Sequence, residues 1–354
     1  MERPTRQRLR TQLALVSPGT DLRDGLERIV SGRTGALIVL GSTEQVDALV
    51  TGGFRIDVPL TATALRELAK LDGAILLDPT LSRIIHAGAH LMPDAALPTA
   101  ETGTRHRTAD RVARQTGVPV VTVSASMSSI ALFLDGYRHP LRRPEQLLPR
   151  ADQALATLSR YRDRLTEAAS RLTSLEVQDA VTVEDVTVVA RRIELCRRLG
   201  EEVSDLLVEL GSEGRMVELQ LQELLAGVAE TGDALARDYG TGESRLRLDG
   251  LAGLASDDLL DATLIARQID LVPGRLDARL PARGYRQLAQ IGRLPSGVAD
   301  RLVAHFGSLQ SLLGASTSEL MAVEGVDYGV VRLVREGLAR LTETSYAERF
   351  DLSG

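Results

Sequence analysis

Leucines at helical spacing fill the middle of this chain. Between Glu145 and about Asp238 the sequence runs in long charged stretches, and its first glycine there is Gly200. The leucines that carry the pattern include Leu155, Leu158, Leu165 and Leu172. This spacing predicts long helices with one buried face. Because the 354-residue chain also exceeds the roughly 250 to 300 residues at which single cores stop growing, we expect a modular protein with a helical spine.

The first 145 residues show a different pattern, in which short apolar runs alternate with amphipathic ones. We predict strands at residues 35–41, 74–78, 84–91, 118–124 and 130–134, and helices at about 61–71 and 108–115. Asp135 and Gly136 are a turn signal that should fold the chain back as a hairpin. The pattern predicts an α/β domain with a mixed sheet and flanking helices.

The end of the chain contains two segments that resemble each other. Residues 291–306 and 323–338 each place a glycine-containing hairpin directly before a predicted helix. Residues 281–341 hold seven arginines and five acids, a local charge of 7 − 5 = +2. We therefore divide the chain into an α/β domain at 1–145, an all-α spine at 146–280 and an all-α domain at 281–354.

Composition and charge exclude several classes of protein. The chain is 44% hydrophobic and 25% charged, which is typical of a globular protein. No run approaches the roughly 20 apolar residues that cross a bilayer, and the first residues lack the apolar core of a signal peptide. We expect a cytoplasmic protein without a membrane partner. A net charge of −6 restricts any contact with nucleic acid to a local surface.

Residues 103–108 read GTRHRT and lead into the helix predicted from Thr108. A helix start offers free backbone N–H groups, and Arg105 and Arg107 can each form paired hydrogen bonds to phosphate oxygens. His106 can donate one more hydrogen bond. The pattern favours a polyphosphate site, although arginines beside a helix start also occur as a solvated basic face.

Asp72, Gly73 and Ala74 stand where a predicted helix passes into a strand. A bare backbone at Gly73 can approach a ligand closely, and the Asp72 carboxylate can bind a metal ion. Most Asp-Gly pairs are ordinary turns. The combination of this carboxylate with an arginine-rich run at another helix-strand junction is what favours a site.

Together, these two motifs resemble the DGA and RHR motifs of the diadenylate cyclase family. The similarity continues through residues 19–29, 91–94 and 208–215 and the C-terminal hairpins, and so covers nearly the whole chain. The resemblance implies a nucleotidyltransferase that condenses two ATP molecules into cyclic di-AMP and releases two pyrophosphates. It also implies Mg²⁺ or Mn²⁺ as cofactor and a homo-oligomer, expected to be an octamer, in which two sites face each other.

The resemblance also implies roles for individual residues. Asp72 would bind the metal ion, and Arg105, His106 and Arg107 would act on the phosphates as catalytic residues. The ATP-binding positions implied are Gly73, Ala74, Leu91 near the adenine, Thr104, Arg105, His106, Arg107, Thr108 and Ser124. Ser124 could equally belong to ordinary loop chemistry. Ala125 and Met127 replace arginines of some relatives, so the resemblance implies no product contact at these two positions.

In the family the C-terminal module is a helix-hairpin-helix domain that binds DNA, expected here to be branched, through backbone amides beside hairpin glycines. We assign this role to Gly292, Gly325 and Arg332. Asp327 stands where the second hairpin of the family has a glycine, and its charge would repel phosphate. A packing or protein-contact module is the alternative for this segment.

Two alternatives remain for the whole chain. One is a DNA-structure scanning protein whose N-terminal domain only senses nucleotide, and the other is a scaffold held together by the spine. Asp72 favours an enzyme, because a sensor has no need of a metal-binding carboxylate beside the phosphate site.

Overall fold

The computed structural model describes residues 5–240, 244–271 and 275–351, with side chains up to Leu341. Contacts divide these residues into two compact units. The first runs to Gln153 and includes Glu202–Gln220, and the second comprises Ala154–Glu201 and the residues from Leu221 onward. An α/β unit with a mixed sheet followed by a helical region confirms the predicted fold class.

The first unit is built on a mixed sheet. Its strands are β1 (Ala36–Val39), β2 (Val50–Thr51), β3 (Phe54–Pro59), β4 (Ala74–Leu77), β5 (Arg83–Leu91), β6 (Val120–Ser124), β7 (Ser129–Leu134) and β8 (Tyr137–Leu141). They lie in the order β2-β5-β4-β1-β6-β7-β8, and β3 also pairs with β5. Only β1 and β4 pair in parallel among the described strands.

Helices cover both faces of the sheet. Those of the first unit are α1 (Arg6–Leu15), α2 (Asp21–Ser31), α3 (Glu44–Asp47), α4 (Ala62–Leu68) and α5 (Thr104–Thr116). Side chains of α2 and α4 share one core cluster with Ile38, and those of α5 share a second cluster with Leu37 and Val39. Successive residues of β1 therefore face opposite cores, as the pleat of a strand requires.

Each of the five predicted strands is present, and so is the hairpin at Asp135 and Gly136, whose φ angles of 51° and 72° suit a tight turn with both residues left-handed. The predicted helix at 61–71 is α4, with Thr61 as its N-cap. The sequence patterns did not predict β2, β3 or the first three helices. β3 is exposed along most of its length and ends at Pro59, so it lacks the apolar run of a buried strand.

The remaining helices form the long middle and the end of the chain. They are α6 (Pro144–Val177), α7 (Val183–Leu210), α8 (Arg215–Leu225), α9 (Val228–Asp238), α10 (Ala262–Gln268), α11 (Tyr285–Ala289), α12 (Val298–Phe306), α13 (Leu309–Gly314), α14 (Thr317–Met321) and α15 (Tyr328–Asp351). The leucines that predicted the spine are all buried. None of the described helices is both long and apolar enough to cross a membrane.

A buried polar cluster lies in the second unit. Glu176, near the end of α6, accepts hydrogen bonds from Arg286 at 2.8 Å and from the Tyr239 hydroxyl at 2.7 Å, and it also accepts from Gln287. Asp238, at the end of α9, accepts three backbone N–H bonds at the start of α11, from residues 284, 285 and 286. The cluster thereby joins α6, α9 and α11 and caps α11 with a carboxylate from another helix.

The buried carboxyl of Asp238 predicts a pH dependence of stability. Burial, followed by the nearby charge of Glu176, raises the pKa of Asp238 from 3.8 to about 6, against the opposing effect of its backbone hydrogen bonds. The folded state then holds this proton more tightly than the unfolded chain, so the contribution of Asp238 to the unfolding free energy rises as pH falls from 7 to 4, by about 2 kcal/mol. Urea unfolding of the native protein and Asp238→Asn at several pH values checks this: the difference between the two must change with pH, and a constant difference contradicts it.

Candidate active site

Three neighbouring strands bring the predicted site residues to one edge of the sheet. β1 pairs with β4 through Ile38 and Ile75, and with β6 through Ala36 and Val123. Since β4 runs parallel to β1 and β6 runs antiparallel to both, the start of β4, the start of β1 and the end of β6 lie at the same edge. Asp72, Gly35 and Ser124 therefore occupy adjacent positions there.

The turn that carries Asp72 lies directly against β5. Gly73 has φ 118°, and a Cβ atom at this position would stand 2.6 Å from the carbonyl carbon of Gly88 and 2.8 Å from the oxygen of Ala89. Only glycine fits such an approach. The side chain of Asp72 is 92% exposed, so the turn presents its carboxylate outward from a fixed backbone.

Helix α5 begins at Thr104, four residues earlier than the predicted start at Thr108. Gly103 is the N-cap residue, and its carbonyl accepts the first helical bond, from the Arg107 N–H at 2.8 Å. Glycine is acceptable at an N-cap, but it gives no side-chain signal, so the sequence pattern did not indicate a helix start at this position. The arginine-histidine run thus forms the first turn of the helix, where the N–H groups of residues 104–106 have no intrahelical acceptor and favour an anion.

Arg105 joins this helix start to the acidic turn. Its Nη2 atom lies 3.6 Å from the Asp72 Oδ1 atom. Its Nη1 atom would be 2.9 Å from a Cβ atom on Gly35, so the missing side chain of Gly35 makes room for the guanidinium group. The acidic turn and the arginine-histidine run, which are about thirty residues apart in the sequence, therefore face the same space.

His106 is half-buried beneath the helix start. Its ring centroid lies 6.0 Å from that of Phe133 on β7. Burial, followed by the positive charge of Arg138, lowers the pKa of His106 below 6.5, and Glu101 opposes this shift. His106 is thus mainly neutral at pH 7, with one N–H to donate. Arg107, by contrast, is exposed.

The other predicted ATP contacts differ in accessibility. Ala74 is fully buried and Leu91 is 9% exposed, and both belong to the core cluster under α5. Thr104 is exposed and Thr108 is half-buried. The Ser124 hydroxyl accepts from the Met127 N–H at 3.3 Å and lies 3.3 Å from the Ser126 hydroxyl, so it shapes the loop that follows β6. Its loop role is therefore present whether or not it also meets phosphate.

Several residues that shape this region were not predicted from the sequence. The sequence places Gly35 at the start of one predicted strand and Gly88 within another, and neither position by itself indicates a role in the site. The ion pair of Glu101 with Arg138 joins residues 37 positions apart and leaves no local pattern. The position of Gly35 directly before β1 was the one sequence signal for this part of the site. It did not indicate that the Arg105 side chain would occupy the space beside Gly35.

The C-terminal hairpins lie between α11 and α12 and between α14 and α15. Gly325 has φ 72°, as a hairpin glycine requires, whereas in the first hairpin the left-handed residues are Arg293 and Gly297, and a Cβ on Gly292 would meet open space. Arg332 is exposed and stands 3.8 Å from Glu336. Gly292 and Gly325 thus lie on the hairpins, and Arg332 lies in the helix after the second hairpin. In the first hairpin, the glycine directly before α12 is Gly297, which had not been assigned a role.

Asp327 has a structural role at the second hairpin. Its Oδ1 atom accepts from the Val330 N–H at 2.8 Å, and its carbonyl accepts from the Val331 N–H at 2.9 Å. The carboxylate therefore caps the start of α15 and occupies an N–H group that an anion would otherwise use.

Comparisons with known proteins agree with this geometry. Residues 23–138 match the family model described as DisA bacterial checkpoint controller nucleotide-binding, and residues 141–274 match the model of the DisA linker region. The DNA integrity scanning protein DisA of Acidothermus cellulolyticus is 51% identical over 99% of this chain and 97% of its own length. The chain belongs to the DisA family. DisA of Streptomyces coelicolor is 50% identical over 97% of this chain and 94% of its own length.

Membership of this family makes the chain a diadenylate cyclase. The nucleotide-binding match covers the Asp72 turn, the first turn of α5 and Ser124. These are the residues that meet at the edge of the sheet. The linker match covers α6 to α10, and α6 to α9 lie in the region where the leucine spacing predicted helices.

Proposed function

We propose that this chain condenses two ATP molecules into cyclic di-AMP, with Asp72 and the first turn of α5 as the site for one nucleotide. The observation that carries the proposal is the approach of Arg105 to Asp72 at 3.6 Å, over the gap left by Gly35. This arrangement places a carboxylate, an arginine and a helix start next to one another at the edge of the sheet, which suits a nucleoside triphosphate.

Arg105, Arg107 and the first N–H groups of α5 would hold the triphosphate and stabilise the charge that develops on the departing pyrophosphate. His106 would add a neutral hydrogen bond donor. The 3′-hydroxyl of each nucleotide attacks the α-phosphate of the other, so an O3′–P bond forms as the bond to pyrophosphate breaks. Each protomer holds one ATP, and two sites must therefore face each other in a homo-oligomer, which we propose to be an octamer.

Asp72 fits a metal ion that arrives with its substrate. Among the residues that the structure describes, no group of three or more His, Cys, Asp or Glu side chains could hold a metal ion. Mg²⁺ commonly uses one or two carboxylates together with substrate phosphates, and Mn²⁺ favours the same oxygen ligands. When bound, such an ion would polarise the α-phosphate and favour ionisation of the 3′-hydroxyl.

The experiment that tests the enzymatic proposal is direct. The purified protein, incubated with ATP and Mg²⁺ or Mn²⁺, should form a product with the mass of cyclic di-AMP and two equivalents of pyrophosphate. ATP binding without any product would instead support the nucleotide-sensing alternative.

We further propose that the C-terminal helix pairs bind DNA, with branched DNA as the preferred form, and that the protein acts in the cytoplasm. Gly325, the exposed Arg332 and the open first hairpin at Gly292 support this proposal. The capping role of Asp327 predicts that the second hairpin contributes less than the first. Phosphate contacts of this kind would carry little sequence preference.

Arg332→Gln is expected to weaken binding of branched DNA and to reduce the slope of log affinity against log salt by about 1, because one phosphate contact is lost. The matched control is Arg275→Gln, since Arg275 is also exposed and paired with an acid, Asp277. Fluorescence anisotropy over a salt series measures both. Equal salt slopes for the two variants would remove Arg332 from the DNA surface.

Point substitution is a better test here than truncation at Pro281. Deleting the C-terminal module would remove Arg286 and Gln287 from the buried carboxylate of Glu176. An uncompensated buried charge destabilises the rest of the unit, so a lost response would have two explanations.

A further inference from the structure

An ion pair outside both motifs lies beside the first turn of α5. Arg138, on β8, places Nη1 3.3 Å from Oε2 of Glu101, and their side chains are 35% and 19% exposed. Arg138 pairs in register with Phe133, the residue under the His106 ring. The pair thus lies on the α5 side of the sheet, next to the histidine of the RHR motif.

Glu101 belongs to the segment that leads from β5 into α5. Earlier in this segment, the Asp94 N–H donates to Gln115 and the Leu97 carbonyl accepts from Arg111, so those residues are held by α5 itself. Glu101 stands two residues before the N-cap Gly103 and is held instead by the last strand of the sheet. The ion pair therefore ties the entry of α5 to the sheet.

This tie matters because the N-cap has no side chain of its own. Gly103 makes no side-chain capping bond, so the start of α5 lacks the local restraint that a serine or aspartate would supply. The first turn nevertheless has to present three N–H groups, Arg105 and His106 to one triphosphate. Displacement of this turn would weaken binding of the triphosphate, because charge-assisted hydrogen bonds depend on short distances.

We propose that the Glu101–Arg138 pair is a positioning element of the triphosphate site, which holds the first turn of α5 and the His106 ring against the sheet. The inference rests on the proposed function for the identity of the ligand, but neither residue belongs to a motif that carried that proposal. The half-buried location strengthens the pair relative to an exposed one. The charges of Arg138 and Glu101, which face His106 from β8 and from the segment before α5, also act on its protonation.

Arg138→Gln in the full-length protein should raise the KM for ATP about tenfold and lower kcat by less than about threefold, because ground-state positioning of the triphosphate is lost while the reacting groups remain. Arg138→Lys should recover most of the loss. The matched control is Arg83→Gln, which removes an arginine from the exposed Arg83–Asp57 pair of the same unit and should leave KM unchanged.

A double-variant cycle tests whether the two side chains act together. Glu101→Gln should reproduce the rise in KM, and the variant with both substitutions should be no worse than either alone. Additive effects of the two substitutions, or a KM for Arg138→Gln equal to that of Arg83→Gln, would overturn the proposal.

Direct titration with a non-hydrolysable ATP analogue separates this inference from the proposed function. Failure of the native protein to bind the analogue would contradict the ATP site itself. Tight binding by the native protein and equal binding by Arg138→Gln would contradict only the positioning role. The expected result is native binding with about tenfold weaker binding by Arg138→Gln and recovery in Arg138→Lys.

Discussion

Asp72→Asn is expected to abolish synthesis of cyclic di-AMP, with a rate reduced by about three orders of magnitude and an unchanged melting temperature. The carboxylate is 92% exposed and its ion pair, with Arg105 at 3.6 Å, is long, so the fold gains little from it. Activation of an attacking hydroxyl by a bound divalent cation contributes several kcal/mol, which corresponds to such a loss. The rate is measured by mass detection of the product with ATP and excess metal ion.

Asp57→Asn is the matched control for this substitution. Asp57 is another exposed carboxylate of the first unit that pairs with an arginine, Arg83, and its left-handed φ of 46° is tolerated by asparagine. This variant should retain native activity. Product formation by Asp72→Asn at more than about a tenth of the native rate would remove Asp72 from metal binding.

The second large effect is expected at Glu176, whose side chain has no exposed surface. Glu176→Ala should lower the unfolding free energy of the second unit by about 3 to 5 kcal/mol, because the guanidinium of Arg286 would be left buried without its partner. Urea unfolding followed by circular dichroism measures the loss. The exposed Asp277→Ala, which also unpairs an arginine, should leave the unfolding free energy close to that of the native protein.

A paired substitution refines this test. Glu176→Leu combined with Arg286→Met removes both charges and should recover part of the stability, since apolar side chains can replace a buried ion pair. Recovery should be incomplete, because the Tyr239 hydroxyl and the Gln287 amide lose their acceptor. A decrease in the unfolding free energy of less than about 1 kcal/mol for Glu176→Ala alone would show that the Arg286 guanidinium becomes hydrated when its partner is removed. It would also weaken the conclusion that the cluster fixes α11 to α6.

The Glu176 cluster also bears on how the helices of the second unit are arranged. Besides its side-chain bonds, the Glu176 carbonyl accepts from Gln310 at 2.9 Å, as does that of Val177 at 3.2 Å. The end of α6 is thus held by residues from α11 and α13. We interpret the polar cluster as a device that selects one helix arrangement, a role that apolar contacts alone specify less strictly.

Local patterns in the sequence were sufficient for much of the fold. Leucine spacing predicted the helices of the middle region because the period of a helix is set by its own backbone. Short apolar runs predicted five strands, and the Asp135–Gly136 pair predicted a hairpin. The motifs at Asp72 and at residues 103–108 indicated a polyphosphate site before any strand order was known.

The tertiary structure decided how those parts meet. The sequence pattern predicts a start of α5 at Thr108, whereas the helix begins at Thr104, since a glycine N-cap leaves no side-chain signal. In strand β3 the apolar residues Phe54, Ile56 and Val58 alternate with other residues, and Ile56 and Val58 pack against one core cluster. The strand lacks the continuous apolar run on which the strand predictions depended. The pairing of Arg105 with Asp72 required the strand order, because two residues on different elements become neighbours only through the register of β1 with β4 and β6.

The long-range polar pairs were likewise beyond any local pattern. Glu101 and Arg138 are 37 residues apart, and Glu176 and Arg286 are 110 residues apart. Charged residues are common along this chain, so their identity does not show which of them will be buried together. Periodicity in the sequence indicates which face of a helix or strand is apolar. Only the packing of these elements determines which charged side chains are desolvated and therefore need a partner of opposite charge.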